Sequence, residues 1–335
     1  MNLIQILKLP FQVLALASGA KSFADNPVIG SERLNRLGLH RARCRIAARM
    51  AQWRRARLAP HISDGHRRQF DENGFVAIGD FLPGELFEAL RREVREAPRP
   101  SLEMVQGPTV TRRALLDGTP DSALARVVRD ERLCDLIRYA ASSAGRPVFS
   151  LQAIRCAGAG YDPQTEIHAD TFHATAKAWL FLHDVGPEDG PFFYVPGSHL
   201  RTAARLDWEY RQSLGAARHP VRYHARGSFR IAPEDLPALG LRPPRPMAVR
   251  ANTLVVADTS GFHGRTPSPR ATLRVEIYAT LRRSPFCPWL GLHWLNAPGL
   301  RDRMGTVTTG LVELLARHGK KLPWRPVGRK RPDEV

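Results

Sequence analysis

His168, Ala169 and Asp170 stand in a segment expected to be extended, where successive side chains project to opposite faces. His168 and Asp170 therefore point the same way and can grip one metal ion, while Ala169 points away. Far downstream His263 offers a second imidazole, and Arg274 follows it by eleven residues. Two imidazoles and one carboxylate on one face of an octahedron leave three positions open, the donor set of a non-haem Fe(II) centre that admits a cosubstrate and dioxygen. A structural zinc site would instead be closed by four protein ligands.

Each of these residues also has a plainer reading. An H-x-D triplet is common by chance, a lone histidine is usually a hydrogen-bonded core residue, and an arginine can pair with an acid or cover apolar surface with its stem. Their joint occurrence, in order and between strand signals, favours the metal reading. His173, His183 and His199 are decoys in the same region; His199 follows the turn signal Pro196-Gly197-Ser198 and is expected to stabilise that turn or face the pocket.

The elements that must position these groups follow from periodicity. Phe70 and the run 74–78 suggest a short helix turning into a strand. Leu86, Phe87, Leu90 and Val94 recur at three- and four-residue intervals, as in an amphipathic helix, and a second helix is expected over 124–141. After Pro147 strand-like runs take over at 148–154, 178–182, 192–195, 253–256 and 272–279, many separated by Gly and Pro. Helices followed by closely spaced strands predict an α+β fold with a double-stranded β-helix (jelly-roll) core buttressed by helices. Residues 200–246 interrupt the strands with a helix-like stretch and a Pro- and Arg-rich loop, a candidate lid in which Arg201, Trp208, Tyr210 and Arg211 are candidate substrate contacts. No internal repeat is visible.

Charge is concentrated at the ends. The chain carries 50 Lys plus Arg against 32 Asp plus Glu, a net charge of +18. Nine arginines and no acid lie between Arg33 and Arg57, and Lys320, Lys321, Arg325, Arg329, Lys330 and Arg331 form a second basic stretch. Such surfaces attract polyanions. Ile46, Met50 and Trp53 recur at helical spacing among the first set of arginines, a stripe suited either to resting on the core or to docking on a membrane. The apolar segment 3–20 is interrupted by Lys8 and Pro10 and no basic residue precedes it, so a packed or membrane-surface amphipathic segment is expected in preference to a signal peptide or a membrane span. Cys44, Cys134, Cys156 and Cys287 are scattered without a C-x-x-C pair, which fits free thiols in a reducing cytoplasm. The expected organisation is a basic helical extension over 1–60, a main domain over 61–283 and a C-terminal extension with a basic tail over 284–335.

The stretch from His168 through Thr171-Phe172-His173-Ala174-Thr175-Ala176-Lys177-Ala178-Trp179 to Val195-Pro196-Gly197-Ser198-His199, with Asn73-Gly74-Phe75-Val76 before it and Gly261-Phe262-His263-Gly264 after it, resembles the phytanoyl-CoA dioxygenase-like family of Fe(II)/2-oxoglutarate oxygenases. The resemblance spans about residues 70–282. It implies His168, Asp170 and His263 as iron ligands and Arg274 as the anchor of the distal carboxylate of 2-oxoglutarate. A guanidinium suits that role because its planar fork matches a carboxylate and keeps its charge when buried. Lys177 and Trp179 share one face of the following strand: facing inward they would line the cosubstrate site, facing outward Trp179 would be core between sheet and helix.

The implied reaction is hydroxylation of a small-molecule or lipid-linked substrate with release of succinate and carbon dioxide. Retention of the Asp170 carboxylate favours hydroxylation over halogenation, since related halogenases resemble this pattern with a small residue there. An anionic membrane surface is a candidate partner, whereas no motif for reading nucleic-acid bases is present. The expected location is cytoplasmic, with peripheral membrane placement as an option. The alternatives are a non-catalytic jelly-roll protein whose basic ends bind anionic membrane or nucleic acid, and a zinc hydrolase, disfavoured because no carboxylate is clearly placed as its general base.

Overall fold

The computed structural model describes residues 3–116, 121–290 and 322–334, with isolated positions at 310, 312, 314, 315 and 318; Lys320 and Lys321 of the basic tail lie outside the described residues. In chain order the helices and strands of the first half are α1 (Leu3–Leu14), α2 (Glu32–Arg36), α3 (Leu39–Leu58), α4 (Asp64–Asn73), β1 (Phe75–Ile78), α5 (Gly84–Glu96), β2 (Arg99–Gln106), β3 (Thr109–Leu115), α6 (Ala123–Val128) and α7 (Glu131–Ala141). Then come β4 (Val148–Cys156), β5 (Thr175–Phe181), β6 (Phe192–Tyr194), α8 (Ala203–Gly215), α9 (Arg222–Ala225), β7 (Arg245–Pro246), β8 (Leu254–Asp258), β9 (His263–Arg265), β10 (Thr272–Arg282) and β11 (Arg325–Lys330).

Several helices start where the sequence offers a cap. The side chains of Ser31, Ser63, Ser122 and Thr202 each accept a hydrogen bond from a backbone N–H in the first turn of α2, α4, α6 and α8, worth about 1 kcal/mol apiece. The helix expected over 124–141 is two, because Asp130 caps a new start by accepting from Arg132 N while apolar periodicity runs on through the break. The hairpin β2–β3 and the strand β11 that pairs with β2 were not expected from periodicity.

Two antiparallel sheets form the core, one of eight strands in the order β1-β8-β5-β10-β4-β3-β2-β11 and one of three in the order β7-β6-β9. From β5 to β10 the chain passes back and forth between them, which is the winding of a double-stranded β-helix. Ala176, Ala178 and Leu180 of β5 and Val275, Ile277 and Ala279 of β10 face outward and pack with Leu90 of α5 and Leu133 and Ile137 of α7. Truncating a fully buried member such as Leu90 or Ile137 to alanine would cost about 2–5 kcal/mol. The alternate side chains Trp179, Phe181 and Tyr278 face inward against Phe192 and Tyr194 of the small sheet.

Helix α3 lies on this core in an unexpected orientation. Arg43 and Arg54 are buried, while Ile46 and Trp53 are exposed, so the apolar stripe read from the sequence looks toward solvent. The inward arginines bury because main-chain carbonyls receive their protons. Arg54 donates to Ser142 O (2.7 Å) and Cys287 O (2.6 Å), Arg43 to Ala20 O (2.6 Å), and Arg55 to Ala140 O (2.6 Å). No helix among the described residues is long and apolar enough to cross a membrane.

Candidate metal centre

The segment before β5 meets the small sheet at a single bridge, His168 N to His263 O (2.9 Å) and His263 N to His168 O (2.8 Å), which brings two residues remote in sequence side by side. Asp170 N donates to Thr259 O (2.9 Å), tying the carboxylate's backbone to the turn that leads into β9. That turn is tight: a Cβ at Gly261 would overlap the Tyr194 hydroxyl, which itself donates to Asp258 O (2.7 Å). Ser198 Oγ accepts from Phe262 N (2.7 Å), so the Pro-Gly-Ser-His run holds the turn that delivers His263.

The ligand atoms of His168, Asp170 and His263 lie within 4.8 Å of one another. Asp170 Oδ1 is 3.9 Å from His168 Nε2, and Oδ2 is 3.7 Å from His263 Nε2. Each ring is oriented from behind: His168 Nδ1 donates to Glu166 O (2.7 Å) and His263 Nδ1 to Gly261 O (3.0 Å), which leaves both Nε2 atoms as acceptors facing the carboxylate. His263 Nε2 is buried without a hydrogen-bond partner. A buried acceptor aimed at a carboxylate and a second acceptor is unfavourable unless a cation lies among the three, so the residues fit a divalent ion. Electrostatics agree. Burial lowers the pKa of both imidazoles, His263 to about 4 and His168 well below its usual value, so both are neutral donors. Burial pushes Asp170 upward, but the Lys177 ammonium outweighs it and holds the carboxyl well below its usual range.

Lys177 Nζ lies 2.6 Å from Asp170 Oδ2. Trp179 is on the same inward face, its ring 4.3 Å from that of Phe192, which in turn lies 5.9 Å from His263, so the outward reading of this face does not hold. Arg274 also faces inward and is buried, donating from Nη1 to Gly190 O (2.5 Å). It lines a cleft of about 380 Å³ with Ile154, Cys156, Asp162 and Arg265, whereas His168, Asp170 and His263 do not line that cleft. His173 and His199 lie outside the cluster, on a separate cleft of about 570 Å³ with Arg55, Arg201 and Asp258; His183 borders another groove with Arg91. Of the four candidate substrate contacts in residues 200–246, Arg201 donates to Phe172 O (3.1 Å) and Tyr210 to Arg36 O (3.3 Å), Arg211 is exposed, and Trp208 is core, edge-on to Phe229 and Phe262.

Periodicity and motifs missed Lys21, whose ammonium donates to the main-chain O of Asp170. It arrives on a segment pinned by Phe23, which stacks on Phe229 at 5.3 Å. Burial lowers the Lys21 pKa, opposed by Asp170 and reinforced by Lys177 and Arg230. Nothing in the local sequence marks this lysine. In a second buried grouping, His40, Cys44 and Glu209, the carboxylate is already engaged, since Glu209 accepts from Arg205 (2.9 Å) and pairs with His40 Nε2 (2.9 Å), while His40 Nδ1 is buried without a hydrogen-bond partner.

The profile of the phytanoyl-CoA dioxygenase (PhyH) family matches residues 70–264. No curated protein matches the chain. Similar solved structures include HygX from Streptomyces hygroscopicus with nickel and 2-oxoglutarate bound, at 18% identity over 65% of this chain and 86% of that one, with a TM-score of 0.43. The epimerase SnoN from nogalamycin biosynthesis follows at 17% identity over 70% and 89%, TM-score 0.42. AviO1 from Streptomyces viridochromogenes Tue57 is 20% identical over 65% and 94%, TM-score 0.37.

Proposed function

The chain belongs to the phytanoyl-CoA dioxygenase family of Fe(II)/2-oxoglutarate oxygenases, and from that premise we propose that it hydroxylates an anionic small-molecule or lipid-linked acceptor, with His168, Asp170 and His263 holding the iron. The observation that carries the reading is the unpartnered, buried His263 Nε2 facing Asp170 and His168. Bound there, ferrous ion and 2-oxoglutarate would supply oxidation of a C–H bond by dioxygen, with release of succinate and carbon dioxide. The chain's own residues supply placement. Glu166 O and Gly261 O fix the imidazole tautomers, Lys177 and Lys21 hold the Asp170 carboxylate and backbone, and the Arg274 fork takes the distal carboxylate of the cosubstrate. The aromatic pair Trp179 and Phe192 keeps water from the inner wall. Retention of Asp170 as a carboxylate supports hydroxylation as the outcome.

Lys21 and Lys177 beside Asp170 support an acceptor that carries negative charge. A lipid-linked acceptor, met by a protein peripheral to an anionic membrane, is supported by the apolar side chains that the N-terminal helices leave in solvent. The test is succinate formation from 2-oxoglutarate with Fe(II) and air, without added acceptor. Wild type should show slow iron-dependent release and His263→Ala none; equal rates in both would refute the site.

A further inference from the structure

We propose that the outer face of α3 is a docking surface for an anionic lipid bilayer, which deepens the lipid-linked reading above and specifies where the protein meets its membrane. Among the described residues, eight of the fifteen exposed large hydrophobic side chains fall between Leu9 and Trp53, far more than that short stretch would hold by even distribution. Three of them, Leu37, Ile46 and Trp53, lie on or just before α3, and exposed apolar side chains gathered on one element mark an interaction site.

The orientation of α3 is what gives this face its chemistry. Because Arg43, Arg54 and Arg55 are consumed by carbonyls and by Asp258 on the inner side, the outer side presents Ile46 and Trp53, seven residues and about two turns apart on one stripe, flanked by exposed Arg45, Arg49 and Arg57. Arg45 and Arg49 make no ion pair among the described residues, while Arg41, lower on the helix flank, is already neutralised by Asp207 (2.7 Å). No acid lies anywhere on α3. Leu37, just before the helix, is also 80% exposed. An interfacial helix needs this pattern of apolar and indole groups at the acyl boundary with cations beside them at the phosphates.

Nucleic acid fits less well. The guanidinium of Arg57 sits 3.2 Å over the centre of the Trp53 ring, so that face of the indole is covered and a base cannot stack on it. The indole edge and the Ile46 side chain remain available to a hydrocarbon boundary.

The test is co-sedimentation of the full chain with phosphatidylcholine vesicles, with and without phosphatidylglycerol. Wild type should bind the phosphatidylglycerol vesicles preferentially. Arg45→Glu/Arg49→Glu should weaken binding by at least about thirtyfold, at about fivefold per surface arginine, and Ile46→Asp/Trp53→Asp should weaken it comparably. All four positions are exposed, so both variants should keep the wild-type melting temperature and wild-type succinate release in solution. That second readout separates failure here from failure of the oxygenase reading. Undiminished vesicle binding by either pair, or binding to duplex RNA without binding to vesicles, would overturn the proposal.

Discussion

Lys21 donates a hydrogen bond to the main-chain carbonyl of Asp170, a residue 149 positions further along the chain. The extension that precedes the family-matched region is thereby fastened to the backbone of one candidate iron ligand. It also carries a positive charge to within reach of the carboxylate, where burial and the neighbouring cations keep its pKa below that of a free lysine.

Replacing Lys21 by methionine keeps the stem and removes the donor. Groups that orient metal ligands from behind typically contribute ten- to a hundredfold in metal affinity, so Lys21→Met should weaken Fe(II) binding by about that range. Competition against a chromophoric chelator measures it. Unchanged affinity would reduce Lys21 to a packing residue.

Arg274 should be sensitive to geometry as well as charge. A lysine there keeps the charge and loses the planar fork, so Arg274→Lys should raise the KM for 2-oxoglutarate by about ten- to a hundredfold, the effect of losing a charged hydrogen bond. The iron affinity should not follow, because Arg274 donates to Gly190 O and lines a cleft that the three candidate ligands do not.

His40 and Glu209 couple α3 to α8. Burial opposes protonation of His40, but Cys44 Sγ at 3.5 Å and the Glu209 carboxylate at 2.9 Å outweigh it and raise the ring's pKa to about 9. A raised folded-state pKa means that the contribution is fully present below the unfolded value of 6.5 and fades as pH climbs through about 9. Wild type should therefore exceed His40→Gln in stability by on the order of 3 kcal/mol at pH 6, and the gap in denaturant midpoints should narrow by pH 10. A gap that is constant with pH would contradict the assignment.

Arg54 staples α3 to the turn after α7 and to the chain beyond β10. Arg54→Met leaves the carbonyls of Ser142 and Cys287 without their donor and should cost about 1–3 kcal/mol, read as a lower melting temperature. An unchanged melting temperature would mean that water replaces the guanidinium there.

The candidate site was more legible in the sequence than its surroundings. His168 and Asp170 were legible because an i, i+2 pair on an extended segment must share a face, and α5 because Phe87, Leu90 and Val94 repeat at the helical period. The break between α6 and α7 was not, since apolar spacing continues across it while a capping aspartate ends one helix and starts another. Strands β2 and β3 were hidden by Pro100, Arg112 and Arg113 in place of a clean alternation. Trp208, read as a substrate contact, belongs to the core because its partners Phe229 and Phe262 come from loops that no local pattern places nearby. The orientation of α3 was beyond reach for the same reason: whether an arginine faces in depends on carbonyls 23 to 233 residues away.

The proposed function requires one ferrous ion among His168, Asp170 and His263 with 2-oxoglutarate beside it. Anaerobic titration of the full chain with Fe(II) and 2-oxoglutarate tests it most directly. Wild type should develop a visible metal-to-ligand charge-transfer band that saturates at one iron per chain, and His168→Ala and His263→Ala should not. A wild-type chain that takes up no iron, or a band that survives loss of either imidazole, would contradict it.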